Sequence, residues 1–395
     1  LLHAACEARV ELVEPAASTA EPAVLTVLAS DTGLARRADW LTGVPDVAVF
    51  VRRNEEPTVL SFTTDDGGAL SLPDLRAASY WLWAEKLSAA AELEAPALAP
   101  AALSGGVRLG LGEGDRDTLL LRSQDNGSLV ISEFHYHWPG TTIVPGGYYK
   151  FYWYLELYNN ADTTIYLDGK IVGAGFNYDI DADLWPCVET EEFRNDPRGI
   201  WSQRFQAFPG SGTDYPLAPG ETAVIAEQAI DHNALYPGLP DLSGADFQFF
   251  WESRALNPAV PTMLPIQLST GVHDTMFLTG FDVPFVADAV DIASLERHSG
   301  RYQGEFALFP REVILDAAGL YSEYYLVRRS VPLCRMLLHS SLDALGAFVR
   351  PAEARENPPA FSAQRKLLPG GIHLQRTFNS AADWVIGPRS PAKVP

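Results

Sequence analysis

Short runs of alternating apolar and polar residues, broken by turn-forming residues about every ten positions, dominate this chain. Residues 24–29 (V-L-T-V-L-A), 47–53 (V-A-V-F-V-R-R), 59–64 and 69–72 predict four strands near the start. Alternation with a period of two gives a strand one apolar face for a core, and Gly, Pro, Asn and Asp mark the turns between strands. Residues 80–84 (Y-W-L-W-A), 107–111 and 118–121 predict three more strands. Asp65-Asp66-Gly67-Gly68 predicts a hairpin turn, because these residues tolerate positive φ. Residues 31–42 read as a polar loop. The Ala-rich stretch 87–103 reads as a short helix or excursion. Seven short strands at this spacing predict a small β-sandwich, with Tyr80 and Trp83 supplying large buried area.

Asp125-Asn126-Gly127 is the expected boundary. Beyond it, strands are expected at 128–137, 148–158, 163–167, 169–175, 222–227, 247–251, 275–278, 313–315 and within 364–386. The expected fold class is therefore all-β, with two β-sandwich domains in tandem: residues 23–124 and 125–395, after a tether at 1–22. Residues 233–310 read as an insertion on one end of the second sandwich, where binding loops usually sit. The run 148–158 is strongly aromatic. Alternation puts Tyr149, Phe151, Trp153, Leu155 and Leu157 on the core face. It puts Tyr148, Lys150, Tyr152, Tyr154, Glu156 and Tyr158 on the other. Tyrosine offers contact area at small entropic cost, so Tyr148, Tyr152, Tyr154 and Tyr158 are candidates for a protein or glycan contact surface, unless the insertion folds over them.

Charge narrows the function. Among 395 residues, 29 are basic and 50 acidic, a formal net charge of −21. A nucleic-acid partner is excluded, because phosphate neutralisation needs a net basic face. No run of about 18 apolar residues occurs, so a membrane-spanning helix is not expected. Hydrophobic residues make up 47% and charged residues 20%, enough for packed cores.

Four patterns raise the question of chemistry. His135 and His137 are two apart on a predicted strand and share a face, as two ligands of a transition metal would; the alternative is a solvent-facing or aromatic-packed pair beside Tyr136 and Trp138. Asp179, Asp181 and Asp183 alternate in a loop, an arrangement suited to calcium, with Glu189, Glu191 and Glu192 close by. An EF-hand would need Gly and Glu where Leu184 and Thr190 stand. Calcium is the one cofactor these residues would suit; otherwise none is expected. Asp231-His232 lacks an identifiable Ser or Cys partner, and no G-x-S-x-G occurs. Gly105-Gly106 and the glycines at 110, 112 and 114 do not sit at a strand-to-helix turn, so no nucleotide site is expected. No catalytic residues are assigned, and the chain is expected not to be an enzyme.

Resemblances extend this reading. Leu1-Leu2-His3-Ala4-Ala5-Cys6 resembles the end of a bacterial lipoprotein signal, which implies lipidation of Cys6. Of the three cysteines, Cys187 and Cys334 would then remain as a disulfide pair. Gly43-Val44-Pro45-Asp46-Val47-Ala48-Val49, Thr63-Thr64-Asp65-Asp66-Gly67-Gly68, Leu72-Pro73-Asp74-Leu75 and Tyr80 together resemble the carboxypeptidase regulatory-like domain, usually a spacer or docking module. Ile131-Ser132-Glu133-Phe134, Glu156-Leu157-Tyr158-Asn159 through Leu167-Asp168-Gly169, and Leu217-Ala218-Pro219-Gly220-Glu221 resemble the lamin-tail domain, an immunoglobulin-like sandwich. Its ending is matched by Gln364-Arg365, Asn379-Ser380-Ala381-Ala382-Asp383-Trp384 and Pro388-Arg389-Ser390-Pro391. The combination is similar to a family of uncharacterised surface lipoproteins of Bacteroidetes-type bacteria. That resemblance implies a non-enzymatic lipoprotein on the extracellular face of a Gram-negative outer membrane, accessory to a TonB-dependent receptor. The alternative is a structural subunit of a self-assembling surface filament or layer, and a third reading is a calcium- or metal-dependent hydrolase. Expected partners are other outer-membrane or cell-surface proteins, or copies of the chain itself, with membrane contact only through the lipid anchor.

Overall fold

The computed structural model describes residues 21–53, 58–73, 75–88, 101–124, 128–135, 149, 151–175, 196–266, 276–277, 283–299, 305–322, 338–349, 361–369 and 371–390. The first part holds β1 (Ala23–Ala29), α1 (Thr32–Arg37), β2 (Ala48–Arg53), β3 (Val59–Thr63), β4 (Ala69–Leu72), β5 (Ala78–Ser88), β6 (Ala101–Leu111) and β7 (Arg116–Ser123). The strands pair in the order β3-β2-β5-β6-β7-β1-β4. β6 and β7 share only the pairs Leu103–Ser123 and Ser104–Arg122, so the path folds over there into two layers. Between the layers lies an apolar cluster that includes Leu25, Val27, Val49, Val51, Leu82, Leu119 and Leu121.

Alternation accounts for most of these strands, and two segments depart from it. The polar stretch 31–42 contains α1, because Asp31 caps it by accepting from the N–H groups of Gly33 (2.8 Å) and Leu34 (3.0 Å). Leu34, Ala35 and Trp40 then enter the core. The Ala-rich stretch expected as a short helix or excursion is strand at both ends: β5 runs to Ser88 and β6 starts at Ala101, with eleven residue pairs between the two strands. The hairpin at 65–68 forms as expected, with Asp65 Oδ1 accepting from Gly67 N (2.9 Å) and Ala69 N (2.8 Å). Tyr80 is buried as expected, but its neighbour Trp81 is the fully buried tryptophan, and Trp83 is only half-buried.

β7 ends at Ser123 and the next strand starts at Leu129, on either side of Asp125-Asn126-Gly127, which lie outside the described residues. In chain order come β8 (Leu129–His135), β9 (Tyr154–Asn159), β10 (Ile165–Tyr166), β11 (Ile171–Gly175), β12 (Gly199–Ala207), β13 (Pro216–Leu217) and β14 (Thr222–Ala226). Then follow α2 (His232–Leu235), β15 (Phe247–Gln248), β16 (Leu264–Pro265), β17 (Val283–Ala287), β18 (Arg297–Ser299), β19 (Glu305–Pro310) and β20 (Ile314–Ala317). β21 (Leu320–Ser322), β22 (Ala347–Val349), β23 (Phe361–Arg365), α3 (Ser380–Asp383) and β24 (Trp384–Pro388) complete the set. One six-stranded sheet runs β15-β14-β9-β8-β23-β24, and a second runs β18-β19-β12-β11-β17-β20. Ile131, Phe134, Leu155 and Leu157 of the first sheet meet Val172, Ala174 and Val286 of the second in one core. The fold is all-β, with sheets packed in layers throughout.

The insertion expected at 233–310 is corrected. β17 lies between β11 and β20, and β19 between β18 and β12, so this stretch builds much of the second sheet. Their runs V-P-F-V-A and E-F-A-L-F-P are nearly continuous apolar segments, because the outer face of that sheet is also covered. Without alternation such strands leave little signal.

The two sandwiches meet at a packed junction. Trp81 of β5 packs against Leu345, with Trp83 and Ala381 at the edge. Asn379 Nδ2 donates to Ser104 Oγ (2.7 Å) and to the Gly105 carbonyl (3.0 Å) of β6. Lys366 pairs with Glu85 at 3.0 Å. Gly106 of β6 makes this approach feasible, while Gly105 lets β6 lie close on β7 within the first sandwich. A Cβ on Gly105 would stand 2.0 Å from the Leu120 carbonyl oxygen of β7, and one on Gly106 would stand 2.7 Å from Leu345 Cβ.

Candidate binding site

The sequence motifs of the second sandwich meet in space, and their polar atoms are consumed in joining one another. In β8, a bulge between Ile131 and Glu133 resets the alternation. Phe134 therefore faces the core, while Glu133 and His135 face outward beside Glu156 and Tyr154 of β9. Glu133 is buried there. It accepts from Tyr154 O–H, from Ser362 Oγ (2.6 Å) and from Ser390 N (2.9 Å). The I-S-E-F and P-R-S-P motifs are thereby tied together. Burial and the Glu133 charge push the Tyr154 hydroxyl well above the usual phenol range. Glu156 accepts from Ser132 Oγ at 2.7 Å.

The E-L-Y-N and L-A-P-G-E motifs are joined in the same way. Asn159 Nδ2 donates to Leu217 O (2.7 Å) and Thr163 O (2.8 Å), and Glu221 Oε2 accepts from Ala218 N (2.8 Å). Asp168 orders the loop at 212–215 by accepting from the amides of Gly212, Asp214 and Tyr215 at 2.8–3.0 Å. In the N-S-A-A-D-W motif, Asp383 accepts from Thr377 N (2.8 Å), Thr377 Oγ1 (2.6 Å) and Gln375 Nε2 (3.2 Å), and lies 3.4 Å from Arg365. Arg365 also reaches Asp316 at 2.5 Å and the Ile131 carbonyl at 2.8 Å. Asp343 accepts from Gly319 N and Ser380 N, both at 2.8 Å. Burial pushes the Asp343 carboxyl up to about 7, against the pull of those donors. Burial likewise raises Asp383, against the pull of Arg365.

The predicted tyrosine surface is corrected. Tyr152, Tyr154 and Tyr158 are all buried. Leu242 and Val260 cover Tyr154, and Leu374 covers Tyr158, whose hydroxyl donates to the Ile372 carbonyl. The strand also starts later than expected, at Tyr154. Tyr148 lies outside the described residues, as do Cys6, His137, Asp179, Asp181, Asp183, Cys187 and Cys334. His135 is a packed imidazole rather than a group on an open face. It stacks on Tyr154 at 5.1 Å, and its Nδ1 lies 2.8 Å from the Phe361 carbonyl. Among the described residues, no three His, Cys, Asp or Glu side chains are grouped to hold a metal.

A different aromatic group stands at the surface, where the segment before β9 meets the chain after β14. Tyr149, Phe151, Tyr236 and Trp251 are each half-buried. The Tyr149 ring lies 4.9 Å from Tyr236 and 5.3 Å from Phe151. The Arg254 guanidinium stacks 3.9 Å over Phe151 and 5.6 Å from Trp251. It is held by Glu227 at 2.8 Å, the two side chains being 7% and 1% exposed. Behind the rings lies His232, fully buried. Its Nε2 faces the Gln228 carbonyl at 2.9 Å, so Nε2 carries the proton. Nδ1 then accepts from Tyr149 O–H at 2.7 Å. Burial pushes His232 down to about 4 and Tyr149 up to about 12. The two bonds of the neutral imidazole fix the Tyr149 ring against its neighbours. Asp231-His232 and the ring residues Tyr149 and Phe151 stand about 80 residues apart in the sequence, and nothing local joins them. Trp251 and Arg254 carried no local signal, since β14 and α2 bring them there.

No family model matches the chain, and no curated protein does. Among solved structures, the crystal structure of a DUF4876 family protein from Bacteroides thetaiotaomicron is similar to it. The two are 16% identical with a TM-score of 0.52, over 95% of this chain and 96% of that one. Identity this low carries the fold alone. The shared fold extends through both sandwiches.

Proposed function

We propose that this chain is a non-enzymatic cell-surface protein that acts by binding, anchored through lipid on Cys6 and accessory to a TonB-dependent outer-membrane receptor. The observation that carries the reading is where the chemistry is spent. The carboxylates of the motifs, Glu133, Asp168, Glu221 and Asp383, hold strands and loops together. The stacking group of Tyr149, Phe151, Tyr236 and Trp251 reaches the surface. Partly exposed aromatic rings on a rigid frame suit protein or glycan contact. No helix among the described residues is long and apolar enough to cross a membrane, which fits attachment by lipid. Native purification from gently solubilised envelopes, followed by mass spectrometry, tests it. Recovery with a large outer-membrane barrel, and loss of that recovery on Trp251→Ala, is the expected result. Recovery only as long assemblies of the chain itself would favour the second reading, a filament or layer subunit. One observation favours that alternative: β3 is an edge strand, and its Leu60 is 47% exposed, as pairing between copies would use.

A further inference from the structure

An open cleft of about 550 Å³ lies beside the β13–β14 hairpin, where β15 begins. Its floor is apolar: Phe247 is buried, and the half-buried Tyr215 ring lies 5.1 Å from it. Three exposed carboxylates line it, those of Asp214, Glu221 and Asp246. Each is fixed through one oxygen. Asp214 Oδ2 accepts from Ser211 N at 2.9 Å, Glu221 Oε2 from Ala218 N and Asp246 Oδ2 from Val224 N, both at 2.8 Å. Among the described residues, the other oxygen of each makes no hydrogen bond or ion pair, and no Lys, Arg or His lines the cleft. Exposed acids are common in a chain of net charge −21; these three differ in sharing one concave surface. They are not grouped to hold a single metal ion, so a larger cationic ligand suits them better.

The backbone adds a second, independent feature. Asn159 N donates to the Glu221 carbonyl at 2.9 Å, which fixes the parity of the β9–β14 pair. Glu221, Ala223 and Ile225 bond toward β9, while Thr222, Val224 and Ala226 turn their N–H and C=O groups the other way. Val224 O there accepts from Asp246 N, and Ala226 O from Phe249 N, both at 3.0 Å. Thr222 points to the same side, but β15 starts only opposite Ile225, and the cleft lies beside Thr222 instead. An open strand edge is a template for an added strand, and the acids around it select a basic one. We propose that this cleft docks an extended polypeptide segment of a partner, which pairs with the Thr222 backbone and sets Lys or Arg side chains among Asp214, Glu221 and Asp246. The long stem of a Lys or Arg lies along Tyr215 and Phe247 while its charged head stays at the rim. No ring of the aromatic group lines the cleft, so the site is separate from that group and goes beyond the receptor-accessory reading.

Titration calorimetry of the whole chain at about 0.15 M salt, which screens its net charge, tests the site. The probes are a capped pentapeptide of alternating Val and Lys, the same peptide N-methylated on two consecutive inner amides, and spermidine. Saturable binding of the unmodified peptide is expected. The triple variant Asp214→Asn, Glu221→Gln, Asp246→Asn should weaken it about tenfold or more, the sum of three exposed ion pairs. Each new side chain keeps an acceptor oxygen for the amide that fixed the old one. Asp66→Asn, at an exposed position on the first sandwich, should leave binding unchanged. N-methylation should weaken the peptide by a similar factor, because it removes the donors of strand pairing, and spermidine should bind more weakly than the peptide. Both of these comparisons use the parent chain, so they stand whatever the stability of the triple variant. No saturable binding of the peptide, unchanged binding by the triple variant, or equal weakening by Asp66→Asn would overturn the proposal. So would indifference to N-methylation, or spermidine binding as tightly as the peptide, since either would reduce the cleft to a site for small cations.

Discussion

The two sandwiches are stabilised by different physics. The first is filled by one apolar cluster, in which Val27, Val49, Leu72, Leu82 and Leu121 are fully buried. Among the described residues its buried polar groups are few: Arg52, Thr64, Lys86 and Ser104. The second has its apolar core and, beside it, a network that includes Asp316, Asp343, Arg365, Arg376 and Asp383. An apolar core tolerates exchange if volume is kept. A buried ionic network tolerates little, because removing one member leaves the others charged and alone. The difference teaches where a sequence must be specific. Motifs are legible in the second sandwich because its partners are chemically particular.

Asp383→Ala is expected to give the largest effect. It strips Thr377 of its acceptor, takes one of several from Gln375 and Arg365, and should cost about 3–5 kcal/mol. Leu82→Ala in the first sandwich should cost about 2–5 kcal/mol through its cavity. The two differ in what unfolds. Urea titration followed by hydrogen exchange should show the Asp383 variant losing protection in β23 and β24 first, and the Leu82 variant in β2 and β5. Equal loss across both sandwiches in either variant would erase the contrast.

Acidity separates the regions next. The Asp343 carboxyl, raised by burial from its ordinary 3.8 to about 7, binds a proton more readily in the folded chain than in the unfolded one. Its cost to stability is therefore absent below about pH 4, grows as pH rises, and is complete above about pH 7. His232 works the other way. Lowered to about 4 from 6.5, it stays neutral when folded, so stability falls as pH drops from about 6.5 to about 4. Asp343→Asn resembles the protonated acid. The difference in melting temperature between variant and parent should grow in favour of the variant from pH 5 to pH 7.5. A constant difference would mean that Asp343 does not titrate in this range. Leu82→Ala should show no such trend.

Gly106→Val sharpens the comparison at the boundary between the regions. The new Cβ would press on Leu345, at a cost of about 1–3 kcal/mol, and should part the sandwiches without unfolding either. Small-angle scattering should then record a larger radius of gyration, and melting should split into two transitions. A single transition at lower temperature would mean that the junction is part of one cooperative unit.

How much of this was legible follows from the same contrast. In the first sandwich, alternation located β1 to β4, and the Asp65 turn was explicit in D-D-G-G. In the second, motifs marked β8, β9 and the hairpin of β23 and β24, but β12, β17 and β19 passed unread. Both faces of their sheet are covered, so alternation disappears from β17 and β19. The tyrosine face failed for a related reason. Period-two reading places Tyr154 and Tyr158 opposite the core correctly, yet nothing local says that Leu242 and Leu374, about 90 and 220 residues on, will cover them. The surface aromatics belong to segments without regular structure, where periodicity has nothing to report.

Those aromatics carry the smallest expected change in stability and the most informative one for function. Tyr149→Phe keeps the ring against Tyr236 and Phe151 but leaves His232 Nδ1 buried without its donor. The cost should be about 1 kcal/mol, read as a shift in urea midpoint. Trp251→Ala removes a half-buried ring from beside Arg254, whose ion pair with Glu227 should persist. If the rings are a contact surface, Trp251→Ala should abolish partner recovery while Tyr149→Phe, with every ring in place, should spare it. If both variants lose recovery in proportion to lost stability, the rings serve the fold, and the second sandwich would then be as purely architectural as the first.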